Sequence, residues 1–217
     1  MPSKKTSSSY TIRILFAVLG ISLVAAGSYF LHASLTTKTP IIQAPASVAK
    51  ASVKKKTTQQ KAAYTVPATH PRELIISKLG VDANILPVGA ANGILDAPAS
   101  AWDVGWYDKS TLPGSGSGAL LIDGHVNDAL GTPGVFYGLA GLSRDDKIEL
   151  ERGDGRKLTY VVTSVRDLPL DKVDMTAALQ SSEPGKEGLT LITCGGTYDY
   201  RKKTYDHRVI VSAVYKG

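Results

Sequence analysis

One cysteine, Cys194, and two methionines are all the sulfur that the 217-residue sequence holds. A single thiol forms no internal disulfide, so a stapled miniprotein is excluded. Whatever folds is held by apolar burial, and Cys194 is a filler, a ligand or a nucleophile. Acidic residues are missing from a whole region: Met1 to Arg72 contains ten Lys and Arg and no Asp or Glu. The remainder holds 25 − 10 = 15 basic residues against all 19 acidic ones, a formal −4, although the whole chain is +6. A mildly acidic domain is poorly suited to neutralising phosphates, which argues against nucleic acid as a partner. Metal spacings are absent too. Cys194, His125 and His207 belong to no CxxC, HxxxH or HExxH pair, and zinc sites usually show such pairs. The glycine-rich Gly114 to Gly118 lacks the Lys-Ser/Thr ending and following helix of a phosphate loop. Neither a metal nor a cofactor is expected.

What the sequence does have begins with a charge-free run of eighteen residues, Ile14 to Leu31. As a helix it is about 27 Å long, close to the hydrocarbon thickness of a bilayer. It exceeds a typical h-region, and Ala25-Ala26-Gly27 lies too far inside it for a normal cleavage site, so the reading is an uncleaved signal-anchor rather than a removed signal peptide. Lys4, Lys5 and Arg13 place the N-terminus in the cytoplasm and the rest of the chain outside. Residues 1–11 then form a basic cytoplasmic tail and residues 12–32 the transmembrane span. Residues 33–70, rich in Ala, Ser, Thr, Lys and Pro, form a disordered linker that reaches on the order of 35 Å. Its Lys54-Lys55-Lys56 run is a solvated tether or a contact for anionic headgroups or acidic wall polymers.

Residues 71–217 carry the folded domain. Short apolar runs punctuated by Gly, Pro, Asn and Asp predict strands at Leu74 to Ile76, Ala83 to Val88, Ala119 to Ile122, Lys147 to Leu150, Leu158 to Val165, Leu189 to Thr193 and Arg208 to Val214. Two short helices are expected, around Val135 to Leu142 and Asp174 to Gln180. Seven or eight strands in such a length point to an all-β barrel or sandwich.

Cys194 is expected at the exit of its strand, where Gly195 and Gly196 allow close approach and free N–H groups. If Arg208 on the following strand faces Cys194, their Cβ atoms lie about 5 Å apart on one face. His207 then points the other way, and a slip of one residue would exchange the two roles. His125, after the apolar strand Ala119 to Ile122, is the remaining candidate base. Asp123 is read as structural, on the face away from the imidazole. Arg201, Lys202 and Lys203 are read as solvated, and Trp102, Trp106 and Tyr107 as packing.

These residues resemble a known family, the sortases, membrane-anchored cysteine transpeptidases of bacterial surfaces. The resemblance covers Pro71 to Tyr215. It rests on GHV (Gly124 to Val126), LITCGG (Leu191 to Gly196) and HRVIVSA (His207 to Ala213), in the order His, Cys, Arg. GVDANILPVG (Gly80 to Gly89) and VGWY (Val104 to Tyr107) look most like the class F group. The resemblance implies a closed eight-stranded β-barrel with the site at its rim. It makes Cys194 the nucleophile, His125 the general acid and base, and Arg208 the holder of substrate backbone and oxyanion. Thr193, Gly195 and Gly196 would contact substrate, and Pro169 to Gly188 would be a mobile specificity loop.

The expected activity is cleavage of a C-terminal, LPxTG-like sorting signal of a secreted protein through a thioester, followed by transfer to an amine of the cell surface, with hydrolysis as a side reaction. The expected protein is a monomer in the bacterial cell membrane. Papain-like proteases place Cys before His, and L,D-transpeptidases use a Ser-x-Gly-Cys setting missing here. The alternative reading is a non-enzymatic, membrane-tethered β-domain that binds a surface partner.

Overall fold

The computed structural model describes residues 64–91 and 94–217. The expected tail, the signal-anchor and the linker as far as residue 63 lie outside them. No helix among the described residues is long and apolar enough to cross a membrane.

Eight strands close into a barrel: β1 (Pro71–Ile76), β2 (Val81–Val88), β5 (Val104–Tyr107), β6 (Ala119–Gly124), β7 (Lys147–Arg152), β8 (Lys157–Pro169), β9 (Gly188–Asp199) and β10 (Thr204–Tyr215). Their order around the barrel is β1-β2-β5-β6-β9-β10-β8-β7, and a separate ribbon pairs β3 (Ala90–Ala91) with β4 (Ile94–Leu95). All neighbours are antiparallel except β2 with β5 and β6 with β9. Closure leaves the barrel without a free edge.

Period-two alternation fills the inside. Leu74 and Ile76, Val81, Ala83 and Ile85, Leu120 and Ile122, Ile148 and Leu150, Leu158 and Tyr160, Leu189 and Leu191, and Val209 and Val211 form one buried cluster. Burying each Leu or Ile contributes about 1.5–3 kcal/mol. A second cluster lies on the outer face of β6, β9 and β10. There Leu121, Ile192 and Ile210 are covered by Ala178, with Leu95, Tyr107, Leu168, Val173, Met175 and Leu179 around them.

The short helices come out shorter than predicted. Val135 to Leu142 is a chain of turns with one 3-10 turn at Leu139–Gly141, anchored by buried Val135, Phe136, Leu139 and Leu142. The second is α1 (Met175–Ala178), capped by Asp174, whose carboxylate accepts from the N–H groups of Thr176 at 2.9 Å and Ala177 at 3.0 Å. Because α1 buries Ala178 and packs Met175 against the outer cluster, the segment expected as a mobile lid is anchored at this point.

The linker reading also needs correction at its end. Tyr64 donates to the Ile85 carbonyl at 2.6 Å, His70 packs edge-on to Trp106 at 5.3 Å, and Gly153 N–H donates to His70 O at 2.9 Å. Residues 64–70 therefore belong to the packed unit. At the other terminus Thr159 N–H donates to Gly217 O at 3.1 Å, and Lys216 N–H donates to Thr159 O at 2.9 Å. Residues 68–70 thus bond to the β7–β8 turn, and Lys216 and Gly217 pair with Thr159 near the start of β8.

Candidate active site

Three adjacent strands bring the reactive side chains together. β9 lies between β6 and β10, and its register sets Cys194 opposite Arg208, with Ile192 opposite Ile210. Since Ile192 and Ile210 belong to the outer cluster, alternation places Cys194 and Arg208 on the outer face of the barrel. His207 sits opposite Gly195 and shares the inward parity of Val209. On the other side β6 runs parallel to β9, with Asp123 level with Ile192. The ladder ends there, and His125 follows Gly124, the last residue of β6, on the strand that flanks β9.

Cys194 is not at a strand exit. β9 continues to Asp199 and β10 begins at Thr204, so the stretch from Gly195 to His207 between the two predicted strands is mostly ladder with a short tip. The cause is a run of β-formers: Tyr198 pairs with Tyr205, their rings 5.2 Å apart, and Tyr198 also packs edge-on to Tyr200 at 5.0 Å. Gly195 and Gly196 are accordingly strand residues. At Gly196 φ is +75°, and a Cβ there would sit 2.1 Å from Asp206 Oδ1. The register shifts between Tyr205 and His207, which makes this a bulge. Asp206 accepts from Thr197 N–H at 2.7 Å and lies 2.9 Å from His207 Nδ1. That pairing raises the His207 imidazole above its ordinary range and lowers Asp206.

Thr193, expected to touch substrate, is turned inward. It is 4% exposed, and its hydroxyl donates to the Gly124 carbonyl at 2.7 Å. It ties β9 to the last residue of β6, immediately before His125.

His125 Nε2 lies 2.8 Å from the carbonyl oxygen of buried Pro98. A carbonyl only accepts, so Nε2 carries the proton and Nδ1 is the ring nitrogen free to take one. The backbone around it is fixed from the far side, where Phe136 N–H donates to His125 O at 3.0 Å and Gly134 N–H to Val126 O at 2.9 Å. Asn127 donates to the Tyr205 hydroxyl at 2.8 Å, joining this loop to the start of β10.

The Arg208 guanidinium is held by three acceptors: Tyr205 O at 3.0 Å, His207 O at 2.8 Å and Thr204 Oγ1 at 3.0 Å. Cys194 is half-buried. Burial pushes its thiol up, Arg208 pulls it down, and Asp123 pushes it up again. The resting sulfur is therefore a neutral thiol near neutral pH, with a cation beside it to receive negative charge.

Asp123 is the residue that the sequence reading misplaced. Counted from Leu121 of the outer cluster, period two puts it on the outer face, with Cys194. Its Oδ1 is buried without a hydrogen-bond partner, and burial raises the carboxyl to about 7. Gly105 on β5 lies opposite, where a Cβ would be 2.5 Å from that oxygen. The available signal was an acid inside the otherwise apolar ALLIDG, where an exposed acid would be unusual. Among the described residues no cluster of His, Cys, Asp and Glu is arranged to hold a metal ion. Trp106 packs in the core, and Tyr107 against the outer cluster.

The Sortase domain family model matches residues 74–216, two-thirds of the sequence, from the middle of β1 through the end of β10. The chain belongs to the sortase family. No curated protein matches it by sequence. Among solved structures, this sortase is similar to Sortase A from Corynebacterium diphtheriae, at 23% identity and TM-score 0.51 over 67% of this chain and 60% of that one. Pilus-related Sortase C of Group B Streptococcus has 19% identity and TM-score 0.53, over 70% of this chain and 69% of that one. Sortase C-1 from Actinomyces oris has 22% identity and TM-score 0.52, over 76% and 83%. This sortase thus spans three-fifths of the length of the Corynebacterium structure, and the likeness in each case is one of fold.

Proposed function

We propose that the chain is a membrane-anchored cysteine transpeptidase that cleaves an LPxTG-like, C-terminal sorting signal of secreted proteins and transfers the acyl group to a cell-surface amine. The observation that carries this reading is the ladder geometry: a thiol on the central strand, a guanidinium opposite it on one neighbouring strand, and an imidazole that follows Gly124 of the other neighbour, whose carbonyl is tied to Thr193 beside the thiol. Class F membership, the anchor over residues 12–32 and the outward-facing domain belong to the same proposal. They rest on the VGWY and GVDANILPVG segments and on the charge-free run.

The chemistry follows from the resting charges. Because burial keeps the thiol neutral, His125 removes its proton as sulfur attacks the scissile carbonyl. The carbonyl oxygen becomes an oxyanion toward Arg208, whose planar donors stay charged throughout the cycle. Collapse expels the amine, which takes its proton from His125, and leaves a thioester on Cys194. An incoming amine reverses the sequence, and water gives slow hydrolysis.

The test is intact-mass measurement of the full chain incubated with LPxTG-like peptides. A mass increase on Cys194 that is lost on adding an amine, and absent in Cys194→Ala, is the expected result. A folded protein that no such peptide labels overturns the proposal.

A further inference from the structure

Asp123 stands on the site face and takes no part in the chemistry above. It is a diagonal neighbour of Cys194 across the β6–β9 ladder, about 7–8 Å away. Arg208 flanks the thiol from the opposite side, on β10. The sulfur therefore sits between a fixed cation and an acid. The side chain is set into the wall rather than laid over it: Gly105 leaves the space that it fills, and the Val88 methyls bound the same gap. One oxygen is sealed without a partner, while the residue as a whole stays partly exposed. An unpaired buried carboxylate is costly, and a donor that carries positive charge relieves that cost.

Resting on the transpeptidase reading, we propose that Asp123 is the docking group for the acceptor, a primary amine in its ammonium form, and takes one of the two protons that the amine must lose. The intermediate formed when an amine attacks a thioester has negative charge on oxygen and positive charge on nitrogen. The flanks of Cys194 match that dipole, with Arg208 on the oxygen side and Asp123 together with His125 on the nitrogen side. The protons balance. The ammonium, paired with the Asp123 carboxylate, gives one proton to His125 as its nitrogen lone pair forms the C–N bond. The carbonyl π pair moves to oxygen and returns as the C–S bond breaks, and sulfur leaves with that pair as thiolate. The second nitrogen proton passes to Asp123. The products are a neutral amide, a protonated Asp123, an imidazolium and a thiolate, and the last two exchange a proton to restore the resting pair. A carboxyl that burial has raised to about 7 holds and releases that proton near neutral pH.

The experiment compares the full chain with Asp123→Asn, a nearly isosteric change, at the second half-reaction alone. Cys194 is first loaded with a sorting-type peptide. If such peptides do not load the parent protein, the acyl group is delivered by exchange from a small peptide thioester, which requires only the thiol, so failure of the substrate reading leaves this test intact. Partition of the thioester between aminolysis and hydrolysis is then followed at neutral pH with triglycine, whose amine is protonated, and with hydroxylamine, which is not. The expected result is an amine KM raised about tenfold or more for triglycine, with hydroxylamine changed by less than about twofold and loading no slower than in the parent, because the acid only pushes the thiol up. Equal behaviour with both acceptors, whether both are unchanged or both are slowed, overturns the proposal. A melting curve checks folding, and Asp123→Ser, carrying the same expectation, replaces Asn if that variant does not fold.

Discussion

Replacing Thr193 by Val separates two roles for a residue next to the nucleophile. The hydroxyl donates to Gly124 O at 2.7 Å in a site only 4% exposed, so Val keeps the shape and leaves that carbonyl one partner short. Losing a buried hydrogen bond of this kind costs about 1–2 kcal/mol. In a domain of this size that lowers the melting temperature by roughly 3–8 °C. Because the bond joins the residue before Cys194 to the residue before His125, the tether between thiol and imidazole is loosened as well, and acylation is expected to slow a few-fold at unchanged peptide KM. Differential scanning fluorimetry and single-turnover mass measurement read the two effects. A variant that melts within about 1 °C of the parent while its KM rises would refute the reasoning, since it would mean that Thr193 reads substrate rather than tying strands.

Arg208→Met removes the cation that offsets burial at Cys194, so iodoacetamide should alkylate the thiol about fivefold more slowly at neutral pH, the loss shrinking as the pH rises. Equal rates would place the guanidinium out of electrostatic reach. Gly196→Ala puts a Cβ into a left-handed position 2.1 Å from Asp206 Oδ1, and is expected to cost at least about 1–2 kcal/mol in a denaturant titration. In a proton NMR titration His207 should hold its proton to higher pH than a free imidazole, and Asp206→Asn should return it to the ordinary range. The sign follows from the direction: the pairing favours the folded state at pH below the ordinary imidazole range and is lost as pH rises through the elevated value. An unchanged His207 midpoint in that variant would contradict the contact.

Much of the barrel was legible because its strands are β-branched runs bounded by turn residues, and the Cys194–Arg208 register followed from treating their strands as antiparallel neighbours. β5 was not legible as a strand. It has four residues, includes Gly105 and pairs in parallel with β2, so neither length nor a hairpin turn marks it. The prolongation of β9 and β10 was hidden for a different reason. Thr197, Tyr198 and Tyr205 are interleaved with Gly196, Asp199 and Asp206, which read locally as loop, and the cross-strand tyrosine pair that overrides them is not a local property. Residues 64–70 look like linker by composition, yet Tyr64 and His70 find partners on β2 and β5 that lie far along the chain. Asp123 was misplaced by a miscount of the alternation: it lies two residues from both Leu121 and His125, so period two puts it on the outer face with Cys194.

The polypeptide leaves the barrel near the start of β8, whereas Cys194 and Arg208 sit seven residues up β10 from Tyr215, about 23 Å away along the strand. A tag or solid support fused after Gly217 therefore grips a part of the barrel remote from the thiol. A surface that holds such a handle is set away from the face that carries the thiol, so immobilisation through Gly217 keeps it clear of an approaching polypeptide.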